Sequence, residues 1–267
     1  MHGIAFQFGP LTIYWYGILT AVGFLMAFWT ASRRAPREGI SPDTIMGLAP
    51  WLIGGTIIGA RALYVISYWK QDFAGQPLWE IFKIRSGLVF YGGLIGASLG
   101  TLIYTRRYKL PLWKIADILA PSIALGHAFG RIGCLMTGCC YGRVCSLPWA
   151  IHFPHEPPLG SDPNTGLIGR HPTQLYESAL NFLLFFGLNW FYPRKKFDGH
   201  VFAIYLIAYS ILRGVVEMFR GDYSLSSYLA GVFTPAQTAS IVIFVAGCVL
   251  LRVLRRPRKA PEPSATA

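Results

Sequence analysis

Charge is scarce in this chain. Of its 267 residues only 13% are Asp, Glu, Lys or Arg, and the acidic residues number 12 against 24 basic ones. About a quarter of a soluble domain is charged, so 53% apolar residues and a mean hydropathy of +0.43 exclude an ordinary globular fold in water. The start of the chain lacks the basic n-region of a cleavable signal peptide, and its first apolar run is long with bulky flanks, so that run is expected to stay as a helix. No convincing internal repeat, and no clear inverted one, is present. Cysteine is sparse as well, five in all, yet four of them fall between positions 134 and 145.

What is abundant is apolar sequence in long runs. Seven segments are each long enough to cross ~30 Å of hydrocarbon as a helix. They run from Leu11 to Ser32, Ile45 to Tyr68, Leu88 to Tyr104, Trp113 to Leu135, Thr173 to Tyr192, His200 to Phe219 and Thr234 to Leu254. The formal net charge of +12 would fit nucleic acid, but its placement excludes that partner. Arg33, Arg34 and Arg37 follow the first segment, and Arg106, Arg107, Lys109 and Lys114 follow the third. Arg194, Lys195 and Lys196 follow the fifth, and Arg252, Arg255, Arg256, Arg258 and Lys259 the seventh. If the segments alternate across a bilayer, these all lie on one side. The positive-inside rule then puts the N-terminus outside and the C-terminus in the cytoplasm. The expected fold is an all-α integral membrane protein of seven transmembrane helices, one polytopic domain over residues 1–254. Its outer loops span about 69–87, 136–172 and 220–233. Residues 255–267 form a basic, then Pro- and Ala-rich tail, expected to be disordered, whose basic half suits anionic headgroups of the bilayer.

Ionisable residues within apolar segments are costly and mark functional sites. They are Arg61, Asp117, Arg131, Glu177, Arg213 and Glu217. Arg213 and Glu217 are four apart, which puts them on one helix face and lets them pair. A guanidinium near the outer surface presents a planar fork for phosphate oxygens and stays charged, so an anionic phospholipid headgroup is the natural ligand of Arg131, with Arg213 and Glu217 across the same cavity. Glycines at three- and four-residue spacing, among them Gly92, Gly93 and Gly96, let helices approach closely; beside Tyr91, Gly92 and Gly93 could instead open the backbone to a headgroup. His152, His155 and His171 lie in or next to the longest outer loop without a metal-ligand spacing.

Five motifs carry a resemblance. WYG at Trp15 to Gly17, YGGLIG at Tyr91 to Gly96, GRIGCLMTGCCYG at Gly130 to Gly142, HPTQLYE at His171 to Glu177 and YLIAYSILRGVVEMFR at Tyr205 to Arg220 resemble, in order and over nearly the whole chain, the prolipoprotein diacylglyceryl transferase family. The resemblance implies an enzyme of the bacterial inner membrane. It would move the sn-1,2-diacylglyceryl group of phosphatidylglycerol to the lipobox cysteine of a preprolipoprotein signal peptide, releasing glycerol 1-phosphate. It further implies Arg131, Arg213 and Glu217 as catalytic residues, with Tyr91 and His171 beside them. Tyr16, Arg61, Gly92, Gly93, Gly142 and Tyr209, together with Arg131, would bind phosphatidylglycerol. No metal, nucleotide or other cofactor is called for.

Three positions depart from the family. Tyr91 replaces a histidine proposed there as a base; a phenol, with a pKa near ~10, is a poor base at neutral pH, so that position is expected to orient headgroups by hydrogen bonding, and His127 and His171 are alternative bases. Cys134 stands in place of an asparagine and Cys139 in place of a glutamate. With Cys140 and Cys145 they form a spacing of C, four residues, CC, four residues, C, which is not a standard zinc pattern. A disulfide bracing the loop is the leading account at an oxidising membrane face, followed by small buried side chains, and then by a redox or metal centre. The competing function is a membrane thiol-disulfide oxidoreductase built on Cys134, Cys139, Cys140 and Cys145; a lipid transporter or channel is a further one. The oxidoreductase reading leaves Arg131, Arg213, Glu217 and HPTQLYE without roles.

Overall fold

A computed structural model describes residues 3–9, 11–83, 87–153, 168–221 and 234–255. The middle of the second outer loop with His155, most of the third loop, and the tail from position 256 therefore lie outside the described residues. Seven helices of 18 to 26 residues are present among the described residues: α1 (Trp15–Arg34), α2 (Pro42–Ser67), α3 (Phe90–Arg107), α4 (Leu112–Thr137), α5 (Thr173–Phe191), α6 (His200–Glu217) and α7 (Pro235–Leu254). Five are long and apolar enough to cross a membrane, namely α1 with its short 3₁₀ extension to Glu38, α2, α4, α6 and α7.

The start of the first segment differs from expectation. Leu11–Tyr14 is a strand, β2, paired antiparallel with β1 (Ile4–Phe8), and the helix begins only at Trp15. The reason is local. Gly9 takes a left-handed φ of +57°, the sequence continues Gly9-Pro10, and the flanking residues alternate as a hairpin requires. A second antiparallel pair, β3 (Ile151–His152) with β4 (Gly169–Arg170), lies in the segment between α4 and α5.

The chain divides into two compact units, Met1–Trp29 with Ala116–Ala267, and Thr30–Ile115. The smaller is built on the close approach of α2 to α3. A Cβ on Gly96 would collide with the carbonyl of Gly55, and one on Gly92 with the carbonyl of Gly59. The backbones meet without side chains between them, as in other small-residue helix contacts. Ser41 caps α2 by accepting from the Asp43 amide, with Pro42 in the first turn. Basic residues in the last turns of α1 and α3, Arg33, Arg34, Arg106 and Arg107, complement the helix dipoles.

In the larger unit Ala120 and Ala124 of α4, Leu188 of α5, and Val201 and Tyr205 of α6 form a core with Tyr192. Asp117, wholly buried on α4, supplies the N-terminal cap that α6 lacks: its carboxylate accepts from the amides of Gly199 and Phe202, both at 2.9 Å, and from Lys195 Nζ at 3.2 Å. Helix α7 opens on a reciprocal capping box of Thr234 and Gln237. Helix α5 is inverted relative to a helix of a soluble protein. Gln174, Glu177, Ser178 and Asn181 are buried on its inner face, whereas Leu183, Phe186 and Trp190 are 66%, 63% and 66% exposed. Apolar atoms outside and polar ones inside are stable when the surrounding solvent is hydrocarbon. The chain is accordingly a multi-pass helical membrane protein.

Candidate functional site

The buried polar face of α5 meets polar positions on α4. Arg131 lies four residues after His127, one turn apart on the same face, and Glu177 reaches both. Arg131 Nε is 2.9 Å from Glu177 Oε2, His127 Nε2 is 3.1 Å from Oε1, and Arg131 Nε also contacts His127 Nε2 at 3.2 Å. The Glu177 side chain is 2% exposed. Helix α5 is held against α4 next to this triad by Ser178 Oγ, which donates to the Ala128 carbonyl at 3.0 Å. The sequence marks Glu177 as a costly ionisable residue but does not identify it as the direct counter-ion of Arg131. The signal that could have done so is the exclusively polar i, i+3, i+4, i+7 stripe of Gln174, Glu177, Ser178 and Asn181 within a greasy segment.

On α6 the expected pair forms, Arg213 Nη1 to Glu217 Oε2 at 2.6 Å, with Glu217 fully buried. Glu217 also accepts from Thr234 Oγ1 at 2.7 Å and has Arg220 Nε 4.0 Å away. Arg213 also lies within electrostatic range of Glu177. Tyr209, one turn before Arg213, stacks toward His127 with ring centroids 5.4 Å apart. Two buried ion pairs, Arg131 with Glu177 and Arg213 with Glu217, therefore hold guanidinium groups on α4 and α6 in a site almost closed to water.

The signature loop after α4 is anchored from both sides. Gly142 donates its amide to the His171 carbonyl at 2.9 Å and bridges to Arg220, and Arg143 donates to the Phe219 carbonyl at 2.8 Å. A Cβ on Gly142 would lie 2.6 Å from both His171 Cβ and the Phe219 carbonyl oxygen. Glycine is required there by backbone packing against the start of α5 and the end of α6. The His171 ring contacts Tyr176 Oη through Nδ1 at 3.2 Å and lies edge-on to Phe219. Tyr16 is half exposed at the start of α1, and its backbone fits against Gly133.

All five cysteines are free thiols. The sulfurs of Cys134, Cys139 and Cys140 lie within 4.8 Å of one another. Hydrogen bonds from Cys134 first, then Cys140, hold the Cys139 thiol well below the usual thiol range. Cys145 is outside this group and donates its amide to the Gly169 carbonyl.

The remaining predicted residues lie in the smaller unit. The Arg61 guanidinium donates to the carbonyls of Ile81, Glu80 and Gly87 at 2.8, 3.0 and 3.4 Å, and so ties down the loop between α2 and α3. Tyr91 is 46% exposed at the start of α3, while Gly92 and Gly93 are buried against α2.

A sequence model of the prolipoprotein diacylglyceryl transferase family matches residues 3–253. Among similar proteins, the phosphatidylglycerol–prolipoprotein diacylglyceryl transferase of Finegoldia magna is 38% identical over 252 residues, 94% of each chain. That of Clostridium tetani is 36% identical over 248 residues, 92% of this chain and 96% of its own. That of Vibrio cholerae is 35% identical over 252 residues, 93% of this chain and 89% of its own.

Proposed function

The chain belongs to the prolipoprotein diacylglyceryl transferase family, and from that membership we propose that it transfers the sn-1,2-diacylglyceryl group of phosphatidylglycerol to the lipobox cysteine thiol of a preprolipoprotein. The products are a thioether-linked lipoprotein precursor and glycerol 1-phosphate. The observation that carries the reading is the pair of buried guanidinium groups, Arg131 and Arg213, each fixed by a carboxylate within an apolar chain. Donor edges of such groups suit phosphate oxygens, and the phosphodiester of phosphatidylglycerol supplies them. As the carbon–oxygen bond breaks, negative charge grows on the departing glycerophosphate. Guanidinium groups already fixed by buried carboxylates stabilise that charge without reorganising.

In this reading Arg131 and Arg213 hold the phosphate, Glu177 and Glu217 orient them, and Tyr209 packs beside His127 at the same site. Tyr16 and His171 serve headgroup and peptide positioning, Tyr91 acts through hydrogen bonding, and Arg61, Gly92 and Gly93 act by holding the α2–α3 pair and its loop in place. All seven helices cross the inner membrane, the N-terminus outside and the C-terminus in the cytoplasm, as the basic loops favour; the buried polar stripe of α5 accounts for its lower hydropathy. The test is purified protein with phosphatidylglycerol and a lipobox peptide, scored for thioether product. Arg131→Ala and Arg213→Ala should each lower turnover about 10²-fold or more, by analogy with removal of one oxyanion donor. No thioether product from the unaltered protein, with thiol–disulfide exchange that is lost in a Cys134→Ser/Cys139→Ser/Cys140→Ser/Cys145→Ser protein, would sink the transferase reading in favour of thiol exchange.

A further inference from the structure

The three clustered cysteines have no role in the phosphate site, yet their convergence follows from backbone geometry. Helix α4 ends in a Schellman motif: Gly138 takes a left-handed φ of +72°, the Gly138 amide bonds to the Leu135 carbonyl at 3.1 Å, and the Cys139 amide reaches back to the Cys134 carbonyl at 3.2 Å. That motif brings together the side chains of the two residues joined by its outer bond, a contact commonly made by apolar groups. Here both are cysteines, so a four-residue spacer that matches no zinc-finger pattern still juxtaposes two sulfurs. Cys140 then adopts a left-handed φ of +64°, uncommon outside glycine, and its sulfur joins the other two.

The backbone of this turn is pinned. The Cys139 carbonyl accepts from Gln174 Nε2 at 2.6 Å and the Cys140 carbonyl from Thr173 Oγ1 at 2.8 Å, both from the first turn of α5. Three thiolates bound to a tetrahedral ion at ~2.3 Å stand about 3.8 Å apart, and rotations about the Cys side chains close the remaining gap from 4.8 Å. Among the described residues, no fourth Cys, His, Asp or Glu joins the group, and Cys139 is exposed. Three protein ligands with one open position is the arrangement of a reactive zinc site rather than a closed structural one. Three thiolates on a divalent ion leave one negative charge, which the exposed side at Cys139 keeps in contact with solvent.

We propose that Cys134, Cys139 and Cys140 form a trithiolate site for a thiophilic divalent ion of the zinc class, with a fourth position open on the Cys139 side to an incoming thiol. Resting on the transferase reading, that thiol is the substrate cysteine. Its sulfur binds the ion, its proton passes to water at the exposed side, and it is held as a thiolate, since a coordinating thiol is deprotonated outright. The chain thereby has a route to a nucleophilic sulfur that needs no basic side chain at Tyr91.

The experiment uses cobalt(II) on the reduced full-length protein in detergent, with no lipid present. One cobalt per chain should give thiolate-to-metal charge-transfer bands and tetrahedral d–d bands. Cys134→Ser, Cys139→Ser and Cys140→Ser should each remove the bands or cut them by about one third, as one of three sulfur ligands goes. Cys248→Ser should leave them intact. Cys139→His, which keeps a ligand, should retain tetrahedral bands with the charge-transfer intensity lowered by about one third, an outcome that misfolding would not produce. A lipobox peptide should raise that intensity by about a third, and its Cys→Ser form should not. No bands, or bands that survive loss of the trio, would overturn the site. Band intensity unchanged by the peptide would overturn the open position, and a disulfide among the three found by alkylation of freshly isolated membranes would overturn the site. Because the spectra need no phosphatidylglycerol, bands retained in a protein with no transferase activity would count against the proposed function and leave the metal site standing.

Discussion

Glu177 is the residue whose removal should be felt most. It is buried to within 2% and holds Arg131 Nε at 2.9 Å and His127 Nε2 at 3.1 Å. At an effective dielectric of ~20 the attraction between unit charges at that separation is about 6 kcal/mol. Part of this offsets the desolvation of both ions, so the pair itself contributes little net stability. Cutting only one partner is different, because the Arg131 guanidinium stays buried with no counter-ion in contact. Glu177→Gln keeps the shape and removes the charge, and should cost about 3–5 kcal/mol. At about 2–4 °C per kcal/mol for a chain of this size, the unfolding midpoint in detergent should fall by roughly 6–20 °C. Arg131→Met should cost a similar amount, whereas the Arg131→Met/Glu177→Met double variant, which buries no charge, should recover most of the loss. A Glu177→Gln midpoint within about 2 °C of the parent, or fully additive single effects, would refute the claim that the two ions are mutually dependent.

Three further outcomes follow from contacts elsewhere in the fold. Asp117→Ala strips the cap from α6 and leaves two amides unsatisfied, and should cost about 2–4 kcal/mol in thermal unfolding, with Asp117→Asn milder because an acceptor remains. Gly142→Ala should lower stability by about 1–3 kcal/mol together with activity, since the new methyl meets His171 and the Phe219 carbonyl; activity lost at an unchanged melting point would contradict the packing role. Hydrogen bonds from Cys134 and Cys140 favour the Cys139 thiolate, so its iodoacetamide labelling in metal-free protein should fall less steeply from about pH 8 to about pH 6 than that of a thiol of pKa ~8.5, which loses roughly two orders of magnitude in rate. A labelling rate that falls with the ordinary slope would show that Cys134 and Cys140 do not stabilise it.

The helices were legible because hydrocarbon imposes a simple rule: each crossing needs about 20 apolar residues and satisfies its own backbone. Six of the seven segments match helices to within a few residues, and the exception, Leu11–Tyr14, fails because apolarity alone does not separate a short strand from a helical turn. The Arg213–Glu217 pair was legible for the same reason any i, i+4 pair is. The Arg131–Glu177 contact was not, because it joins residues 46 positions apart on different helices, and helix rotation is fixed by packing rather than by composition. Arg61 illustrates the converse. An arginine in an apolar run invites a ligand, yet three carbonyls of the following loop occupy its donors.

The cysteines lie between these cases. Matching their spacing to ligand patterns of soluble zinc modules gave no site, because those patterns encode knuckles and finger helices rather than the end of a membrane helix. The useful signal is the glycine before Cys139. A helix-ending glycine at C′ fixes the pairing of the residue after it with the residue four positions before that glycine, whatever their identity. In Cys134-Leu135-Met136-Thr137-Gly138-Cys139 that rule alone brings two sulfurs into contact, and the left-handed Cys140 adds the third. The same turn hangs from Thr173 and Gln174, one helical turn before Glu177, so the elements that fix the charge on Arg131 also fix the three thiols. A phosphate held by the arginine and a sulfur held beside the cysteines would therefore be positioned by one rigid junction of α4 with α5. That geometry suits a reaction in which a thiol displaces a glycerophosphate.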